Sequence, residues 1–238
     1  MMKDLPSFCI ILPMYNEMHV AEACIRSLYD YLSSVSSKTA IIAINDGSQD
    51  NTLNILTKLQ NIHHNLIVES HKINSGYGAA CRTGFMVAVQ EEFDYALVMD
   101  ADGTQNPRYI TNFFEPMLAS YDYIKATRYS KKGRVQGVAW KRRIISWFGN
   151  KLAKLIYRLP LSDYTNGFRM IKTSVLEKLN TRDIGFAVLL EEVNLAKKLG
   201  ATFYEVPYTL TVRKGTGSQS KFVYSFGIYK HYLKHLFN

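Results

Sequence analysis

Two carboxylates stand one residue apart where an apolar run of the chain ends. The run from Tyr95 to Met99 carries no charge, and Asp100 and Asp102 follow it in the segment VMDADGTQNP. An apolar run without alternation is typical of a strand buried on both faces, and open α/β sheets bind ligands at the ends of such strands. Side chains two residues apart on an extended chain share a face, so both carboxylates can reach one point, where like charges need a cation or a proton between them. An acidic turn that opens a helix at Pro107 would account for the same residues, and the pair alone does not decide between the two interpretations.

The elements that must position this pair alternate regularly through the first half of the chain. Apolar strands are predicted at 8–12, 40–44, 66–68 and 95–99, and helical patterns lie near 18–32, 51–60, 77–90 and 107–119. This order predicts an α/β fold, in which helices wrap a parallel sheet. Three of the strand ends carry acids, namely Glu17, Asp46 and the pair Asp100 and Asp102. Because the carboxyl ends of parallel strands share one edge, we expect these acids in a single crevice.

A crevice lined by carboxylates suits a nucleotide that arrives with a divalent cation. A base and a ribose donate hydrogen bonds to carboxylates, whereas a diphosphate needs a cation beside them. Asp100 and Asp102 offer the hard oxygen ligands that Mg²⁺ or Mn²⁺ takes together with phosphate oxygens. The segment NSGYGAACRTG, with Gly76 and Gly78, has only part of a dinucleotide fingerprint, so a helix start eased by glycine is the better interpretation.

Length, cysteine content and hydropathy narrow the class of protein. The 238 residues are 47% hydrophobic and contain no linker or internal repeat, so we expect one domain over 1–238. Three cysteines without metal-ligand spacing indicate free thiols in a reducing compartment. No eighteen consecutive residues are apolar and uncharged, and the N-terminal apolar run is short and broken by Pro13. We therefore expect a cytoplasmic protein without a membrane span or a signal peptide.

Charge divides the chain into two unlike halves. Residues 1–124 hold 7 Lys and Arg against 14 Asp and Glu, and residues 125–238 hold 22 against 6, so net charges of −7 and +16 sum to +9. Between Lys125 and Arg158 there are 11 basic residues and no acid. We expect a nucleotide-binding half at 1–124 and a second half at 125–238 that faces an anionic partner. A non-enzymatic nucleic-acid-binding protein would account for the basic half but not for the acidic crevice, so no nucleic acid is expected as a partner.

Four motifs, in their order along the chain, resemble those of a known enzyme family. PMYNE, NDGSQDNT, NSGYGAA and DADGTQNP stand at the ends of successive strands, as in the inverting glycosyltransferases of family 2. SDYTNGFRMI at 162–171 and VPYTLTVRKGTGSQSK at 206–221 are similar to the branch of dolichyl- and polyprenyl-phosphate mannose or hexose synthases. The resemblance covers nearly the whole chain. It implies the GT-A fold, a mostly parallel sheet flanked by helices, with basic amphipathic helices in the C-terminal half.

The resemblance implies roles for residues of the acidic half. The nucleotide-sugar-binding residues would be Pro13, Tyr15, Glu17, Asp46, which would recognise the base, and Ala101, which would act through its backbone. Asp100 and Asp102 match the pair that binds the metal and the diphosphate. Relatives with a third metal ligand have a Gln two residues after the second Asp, where this chain has Thr104. The third ligand stays open between Thr104 and Gln105, and Gln105 is favoured on chemical grounds.

In the basic half, the resemblance implies contacts to phosphates. Arg128 matches an arginine near the reacting phosphates, and Arg142 and Ser146 match an Arg-x-x-x-Ser pattern at the acceptor phosphate. Arg213 and Lys221 lie in a loop containing glycines, and we expect this loop to close over the donor diphosphate as a lid. Lys221 would thus belong to the nucleotide-sugar site.

The reaction implied is transfer of a hexose from a GDP- or UDP-hexose to a polyprenyl (dolichyl-type) phosphate. An acceptor phosphate oxygen would attack the anomeric carbon in line, while the metal and Arg128 or Arg213 neutralise the leaving diphosphate. The alternative is a family 2 transferase acting on a glycan hydroxyl, which needs a base, and Glu191 or Glu192 stands where many such relatives keep it. Arg169 is interpreted as a structural arginine.

Two amphipathic patterns indicate a membrane surface. Apolar residues recur at helical spacing from Trp140 to Leu159 and from Phe222 to Leu236, with basic residues beside them. Packing on the protein's own core is one explanation, and two tryptophans beside a basic face also suit an interfacial helix. At about 1 kcal/mol per Lys or Arg near an anionic leaflet, part of the basic block would hold the protein there weakly. We expect peripheral association with the cytoplasmic membrane surface, and a membrane-anchoring subunit as a further partner.

Overall fold

A seven-stranded sheet forms the centre of the protein. The computed structural model describes residues 5–137, 140–211 and 232, with Lys141 and Arg142 described by their backbone alone. The strands of the sheet are β1 (Phe8–Met14), β2 (Thr39–Asp46), β3 (Leu66–His71), β4 (Tyr95–Val98), β5 (Tyr123–Thr127), β7 (Arg169–Lys172) and β8 (Phe203–Pro207). Their order is β3-β2-β1-β4-β7-β5-β8, and β7 runs antiparallel to both of its neighbours. The mostly parallel sheet predicted from the alternating pattern is confirmed.

Helices cover both faces of this sheet. They are α1 (Ala21–Leu32), α2 (Thr52–Gln60), α3 (Tyr77–Gln90), α4 (Phe114–Leu118), α5 (Trp140–Tyr157), α6 (Thr173–Leu176) and α7 (Val188–Lys198). One buried cluster joins a face of the sheet to α3, α5 and α7, and the other joins the opposite face to α1, α2 and α4. Because both faces are covered, the central strand β1 is buried along almost its whole length, as its continuous apolar run predicts.

Local sequence explains where several elements begin. Asn106 accepts a hydrogen bond from the backbone N–H of Arg108 and precedes Pro107, which suits the first helical position. The segment Pro107–Phe113 is a 3-10 helix that runs into α4, whereas the pattern had indicated one helix over 107–119. At the start of α3, Gly76 has φ +96°, which glycine adopts without strain. The Gly78 N–H donates to the Ile184 carbonyl at 2.8 Å, so these glycines form a packed helix start, as interpreted from the sequence.

A short second sheet ties the last described residues to the rest of the molecule. β6 (Arg134–Val135) pairs in parallel with β9 (Thr209–Leu210), and the Thr211 N–H donates to the Thr104 carbonyl. The segment that leaves β8 therefore touches both the basic half and the turn after β4. Of the C-terminal amphipathic pattern, the structure describes Tyr232, which packs against the core. The rest of that pattern lies outside the described residues.

Candidate active site

The predicted acidic pair lies in the turn that follows β4, and two neighbours fix its orientation. The Gln105 amide donates to Asp100 Oδ2 at 2.7 Å, and its oxygen accepts the Asp100 N–H at 3.0 Å. Thr104 donates its N–H and its hydroxyl to Asp102 Oδ1, at 3.0 and 2.6 Å. Gln105 is buried and both ends of its amide contact Asp100, so in this arrangement it orients that carboxylate. A direct bond from Gln105 to a metal stays a prediction.

Space beside Asp100 is kept open by a glycine that the motif analysis did not single out. A methyl group at Gly167 would lie 3.3 Å from Asp100 Oδ1 and 2.9 Å from the Tyr77 hydroxyl. The loop that carries Gly167 therefore approaches the carboxylate as closely as its backbone allows. Within the described ranges, no group of three or more His, Cys, Asp or Glu side chains is arranged to hold a metal ion. A cation at the pair would need further oxygens from its ligand, as a diphosphate supplies.

Glu17 lies close to this pair. Burial raises the pKa of the Cys24 thiol to about 12, and the negative charges of Asp102 and Glu17 raise it further in the same direction. Both carboxylates are thus near one thiol on α1. The Glu17 N–H donates to the Thr52 hydroxyl at 2.8 Å, which fixes the turn after β1 on the start of α2. The charges of Glu17 and Asp102 thus act on the same thiol, and a shared ligand for the two acids stays a prediction.

Asp46 ends β2 at the same edge of the sheet, and it holds the neighbouring loop. Its carboxylate accepts hydrogen bonds from the N–H groups of Ser75 and Gly76, at 2.8 and 2.9 Å. His71 Nδ1 lies 2.7 Å from Asp46 Oδ1, and His71 Nε2 lies 2.8 Å from the Thr83 hydroxyl. Asp46 is therefore a clamp for the loop 71–76 in this structure, and its contact with a base stays a prediction.

The other predicted nucleotide contacts follow the same edge. Pro13 lies in β1 beside Ile44 of β2, and Tyr15 follows β1 by one residue. Ala101 is buried between the two acids of the pair. All three sit at the carboxyl ends of parallel strands, where open α/β sheets take their ligands.

A basic cleft of about 460 Å³ lies beside the acidic edge. Four cationic side chains line it: Arg128, Lys131, Arg134 and Arg143. Among the described residues, no carboxylate forms an ion pair with the last three. Arg128 differs, because its guanidinium makes a bidentate pair with buried Asp163, at 2.7 and 2.8 Å. Asp163 thus balances and orients Arg128, and the other three cations leave the cleft strongly positive.

Tyr208 shows that the acidic edge and the basic cleft are neighbours. Burial raises the pKa of its hydroxyl; the charge of Arg128 opposes this shift, and the charges of Asp163, Asp100 and Asp102 add to it. The charges of both the Asp100 and Asp102 pair and the arginine of the cleft therefore act on one buried hydroxyl. Sequence reasoning had assigned the two regions to separate halves of the chain, and β8 and the segment after it bring them together.

The loop 162–167 lies between the two regions, and its residues were missed as site components. Glu205 accepts the N–H groups of Ser162 and Asp163, at 2.6 and 3.1 Å. Lys125 donates to the Asn166 carbonyl at 2.8 Å, and Arg169 donates to the Gly167 carbonyl at 2.7 Å. The available sequence signal was the polar run SDYTNG between apolar segments, which by itself indicates only a turn.

Ser146 is linked to Arg128 through the side chains of Asn150 and Thr165. The Asn150 amide nitrogen lies 3.4 Å from the Ser146 hydroxyl and 3.2 Å from the Thr165 hydroxyl. Arg128 Nη2 donates to the same Thr165 hydroxyl at 3.2 Å. Arg142 lies in α5 and its side chain is outside the described residues, as are Arg213 and Lys221, so their predicted roles stay predictions.

Arg169 is the structural arginine that the sequence indicated. It is fully buried and makes a bidentate ion pair with buried Glu192, at 2.5 and 2.6 Å. It also donates to the Tyr77 hydroxyl at 3.2 Å. Glu191, one residue earlier, accepts the N–H groups of Arg182 and Asp183, at 2.8 to 3.0 Å. Both glutamates therefore stabilise the fold.

The exposed face of α5 is strongly apolar. Trp140, Phe148 and Leu155 are 67%, 63% and 70% exposed, and Ile144, Ile145 and Trp147 are exposed beside them. The opposite face packs on the core through Ala153 and Tyr157. Packing on the core is thus confirmed for one face of the helix, and membrane contact of the other face stays a prediction. Within the part of the chain that the structure describes, no helix has the length and apolar character needed to cross a membrane.

Comparison with known proteins decides the family. The model for glycosyl transferase family 2 matches residues 9–180. The chain belongs to this family. This family 2 transferase is 25% identical to polyprenol monophosphomannose synthase of Mycolicibacterium smegmatis, over 86% of this chain and 77% of that protein. It is 24% identical to undecaprenyl-phosphate mannosyltransferase of Micrococcus luteus, over 86% of this chain and 83% of that protein.

Solved structures agree on the fold. The transferase superimposes on glucosyl-3-phosphoglycerate synthase from Mycobacterium tuberculosis in complex with uridine diphosphate, with a TM-score of 0.67 and 16% identity, over 97% of this chain and 79% of that one. The same enzyme in complex with Mg²⁺ and uridine diphosphate gives 0.65 and 17%, over 90% and 73%. The GT-A fold predicted from the motifs is confirmed. The predicted family is confirmed too, and both curated relatives are consistent with its polyprenyl-phosphate branch.

Proposed function

We propose that this transferase moves a hexose from a GDP- or UDP-hexose to the phosphate of a polyprenyl phosphate. The observation that carries the proposal is the basic cleft of Arg128, Lys131, Arg134 and Arg143 beside the acidic edge, with Tyr208 between them. The acidic edge suits a nucleotide sugar with its cation, and the cleft suits an anionic acceptor. The names of the two curated relatives, a polyprenol monophosphomannose synthase and an undecaprenyl-phosphate mannosyltransferase, support the same acceptor class.

Asp100 and Asp102 fit a divalent cation by their chemistry. They are hard oxygen donors, fixed by Gln105 and Thr104, and Gly167 leaves room beside them. Mg²⁺ or Mn²⁺ held there would neutralise the diphosphate that leaves the sugar. The glucosyl-3-phosphoglycerate synthase was crystallised with Mn²⁺ and uridine diphosphate, which supports a cation of this kind. The inverting course, in which the acceptor oxygen attacks opposite the diphosphate, follows from the family resemblance and is part of the proposal.

A phosphate acceptor needs positive charge more than it needs a base. A phosphate monoester has a second pKa near 6, so above neutral pH its oxygen has no proton to lose when it attacks. It must instead approach an anionic diphosphate, and the three cleft cations that form no ion pair with a described residue would lower the repulsion. Glu191 and Glu192, the candidates for a base, are both engaged in structural hydrogen bonds. This arrangement favours the phosphate over a glycan hydroxyl.

We propose that the exposed face of α5 rests on a membrane. A polyprenyl chain lies in a bilayer, so an enzyme that uses its phosphate has to work at the surface. Exposed aromatic residues with Lys151 and Lys154 on the same helix match an interfacial helix, and Lys151 Nζ lies 5.4 Å from the centre of the Trp147 ring. A membrane-anchoring subunit, if one exists, would be expected to contact this face.

Transfer to a prenyl phosphate, compared with transfer to the corresponding prenol, tests the proposed function. Purified protein with Mn²⁺ is supplied with a panel of GDP- and UDP-hexoses and with farnesyl phosphate, farnesol or a soluble glycan. We expect one donor to be used, with the sugar transferred to farnesyl phosphate alone. Transfer to the glycan at an equal or higher rate would refute the phosphate acceptor.

Two arginine variants connect the same assay to the cleft. Arg143→Gln removes one charged donor from the cleft and should raise the KM for farnesyl phosphate about 10-fold or more, since a hydrogen bond to a charged group contributes roughly 1.5–3 kcal/mol. Arg158→Gln, just beyond the end of α5 and outside the cleft lining, makes the same change of net charge and should leave this KM unchanged. Equal effects of the two variants would show that the cleft does not bind the acceptor.

A further inference from the structure

Asn150 connects the surface helix α5 to the loop 162–167. Its side chain is 2% exposed and points away from the apolar outer face. The Asn150 oxygen accepts the N–H groups of Tyr164 and Thr165, at 2.6 and 3.3 Å. Its nitrogen donates to the Ser146 carbonyl at 2.8 Å and lies within reach of the Thr165 hydroxyl at 3.2 Å. One buried amide thus fixes two consecutive residues of the loop on one turn of the helix.

The loop in turn holds the arginine of the basic cleft. Asp163 accepts three hydrogen bonds from Arg128, one from its backbone N–H at 3.1 Å and two from its guanidinium. Thr165 accepts a further one from Arg128 Nη2 at 3.2 Å. Because Asn150 fixes Thr165 directly, the position of the Arg128 guanidinium relative to Ser146 depends on this amide. Asp163 holds Arg128 on the loop, and the Asn150 amide fixes that loop to the turn of α5 that carries Ser146.

We propose that Asn150 is a positioning residue for the acceptor phosphate, which it serves by fixing the loop that holds Arg128 to the turn of α5 that carries Ser146. This proposal rests on the proposed function, because it takes the cleft to be the acceptor site. Asn150 does not touch the acceptor itself. Its effect should therefore appear as weaker acceptor binding, with donor binding at the acidic edge preserved.

Acceptor binding and donor binding, measured separately in two variants, test this role. Asn150→Ala removes all contacts of the amide, and Asn150→Asp keeps an oxygen for the N–H groups of Tyr164 and Thr165 but loses the donor. Leu59→Ala, at a buried position of α2 that is distant in sequence from Asn150, serves as a control for a general loss of stability. The dissociation constant of farnesyl phosphate is measured by calorimetry, and that of the donor nucleotide with Mn²⁺ by thermal shift.

In Asn150→Ala we expect farnesyl phosphate to bind at least 10-fold more weakly, and in Asn150→Asp, which keeps an oxygen for the loop, we expect a smaller loss. In both variants the donor nucleotide should bind within about twofold of the wild type. Leu59→Ala should lower the melting temperature and leave both affinities unchanged. Unchanged farnesyl phosphate affinity in the Asn150 variants, or equal losses for donor and acceptor, would overturn the positioning role and leave the proposed function standing. If the wild type neither binds nor uses farnesyl phosphate, both proposals are wrong. Should Asn150→Ala fail to fold, Asn150→Asp decides by the same criteria.

Discussion

Replacing Lys125 by methionine should change how the stability of the protein depends on pH. Lys125 lies on β5, is fully buried, and donates to the Asn166 carbonyl at 2.8 Å. Burial, followed by the positive charge of Arg169, lowers its pKa from 10.5 to about 7. Arg128 acts in the same direction, while Glu192 and Asp163 oppose the shift. The amine is thus largely neutral in the folded protein above pH 7.

The sign and the size of the effect follow from proton linkage. Between about pH 7 and 10.5 the unfolded chain binds a proton at Lys125 that the folded chain does not, so unfolding becomes harder as the pH rises through this window. The expected slope approaches 1.4 kcal/mol per pH unit for one proton. Below pH 7 both states are protonated. The buried charge then destabilises the folded state by about 5 kcal/mol, the free energy that corresponds to lowering the pKa from 10.5 to about 7.

Methionine has a similar volume and cannot be protonated, so it removes this dependence. It also leaves the Asn166 carbonyl without its donor, at a cost of about 1–3 kcal/mol at every pH. At pH 6 the variant avoids the buried charge, about 5 kcal/mol, and loses the hydrogen bond, about 1–3 kcal/mol. We therefore expect Lys125→Met to be more stable than the wild type by about 2–4 kcal/mol at this pH. From pH 7 to pH 9 the advantage should shrink by roughly 2–3 kcal/mol.

Urea unfolding of both proteins at pH 6, 7, 8 and 9 measures this difference, and groups that titrate alike in both cancel. The control is Lys38→Met, because the exposed Lys38 amine also donates to a backbone carbonyl, that of Glu91, at 2.9 Å. Its stability difference from the wild type should be small and independent of pH. Parallel pH curves for the wild type and Lys125→Met would refute the reasoning that the buried amine loses its proton near neutral pH.

Three further variants test the site. Asp102→Asn should keep the fold and abolish Mn²⁺-dependent binding of the donor nucleotide, because an amide is a poor ligand for a hard cation; a thermal shift with and without Mn²⁺ measures this. Replacing Lys141, Lys151 and Lys154 by Glu should strongly reduce sedimentation with anionic vesicles and leave transfer to soluble farnesyl phosphate largely unchanged. If the wild-type protein does not sediment with these vesicles, α5 does not bind a membrane. Glu191→Gln should reduce kcat for farnesyl phosphate less than 100-fold, and a loss of three orders of magnitude in a folded variant would favour a hydroxyl acceptor.

The strands and helices of the nucleotide-binding half could be predicted because their signals are local. FCIIL, AIIAI and YALVM are continuous apolar runs, and each is followed by a polar turn, so the position of every strand end was fixed within a few residues. The place of Asp100 and Asp102 at the ligand edge followed from the strand that precedes them. The parallel order of the strands predicted that the polar residues after them lie along one edge of the sheet.

The contacts that join the two halves could not be predicted, because they depend on side chains that are distant in sequence. Lys125 is the charged residue of the apolar strand YIKAT, and its buried amine contacts Asn166 of a loop that is distant in sequence. Asn150 is one polar residue among several in α5, and its contacts with the loop 162–167 become visible only in the folded structure. The resemblance puts Arg128 near the reacting phosphates but gives no sign of its bidentate pair with Asp163, which lies 35 residues away.

Glu192 shows how the fold itself bears on the choice of acceptor. A general base must reach the acceptor hydroxyl and exchange a proton with it, but Glu192 is fully buried and both of its oxygens are bonded to Arg169. Removing the charge of Glu192 would leave the buried guanidinium of Arg169 without a counter-charge. Breaking such an ion pair destabilises a protein by about 3–5 kcal/mol. Loss of activity in Glu192→Gln would therefore report on folding. Because Arg169 donates to the Gly167 carbonyl beside Asp100, it would also report on the position of Asp100. Glu191 accepts hydrogen bonds only from backbone N–H groups of one loop among the described residues. Its amide variant is therefore the one that can distinguish a catalytic base from a structural residue. Because both glutamates hold the fold together, the proposed function assigns activation of the acceptor to positive charge, for which the cleft offers Lys131, Arg134 and Arg143, cations without an ion pair within the described residues.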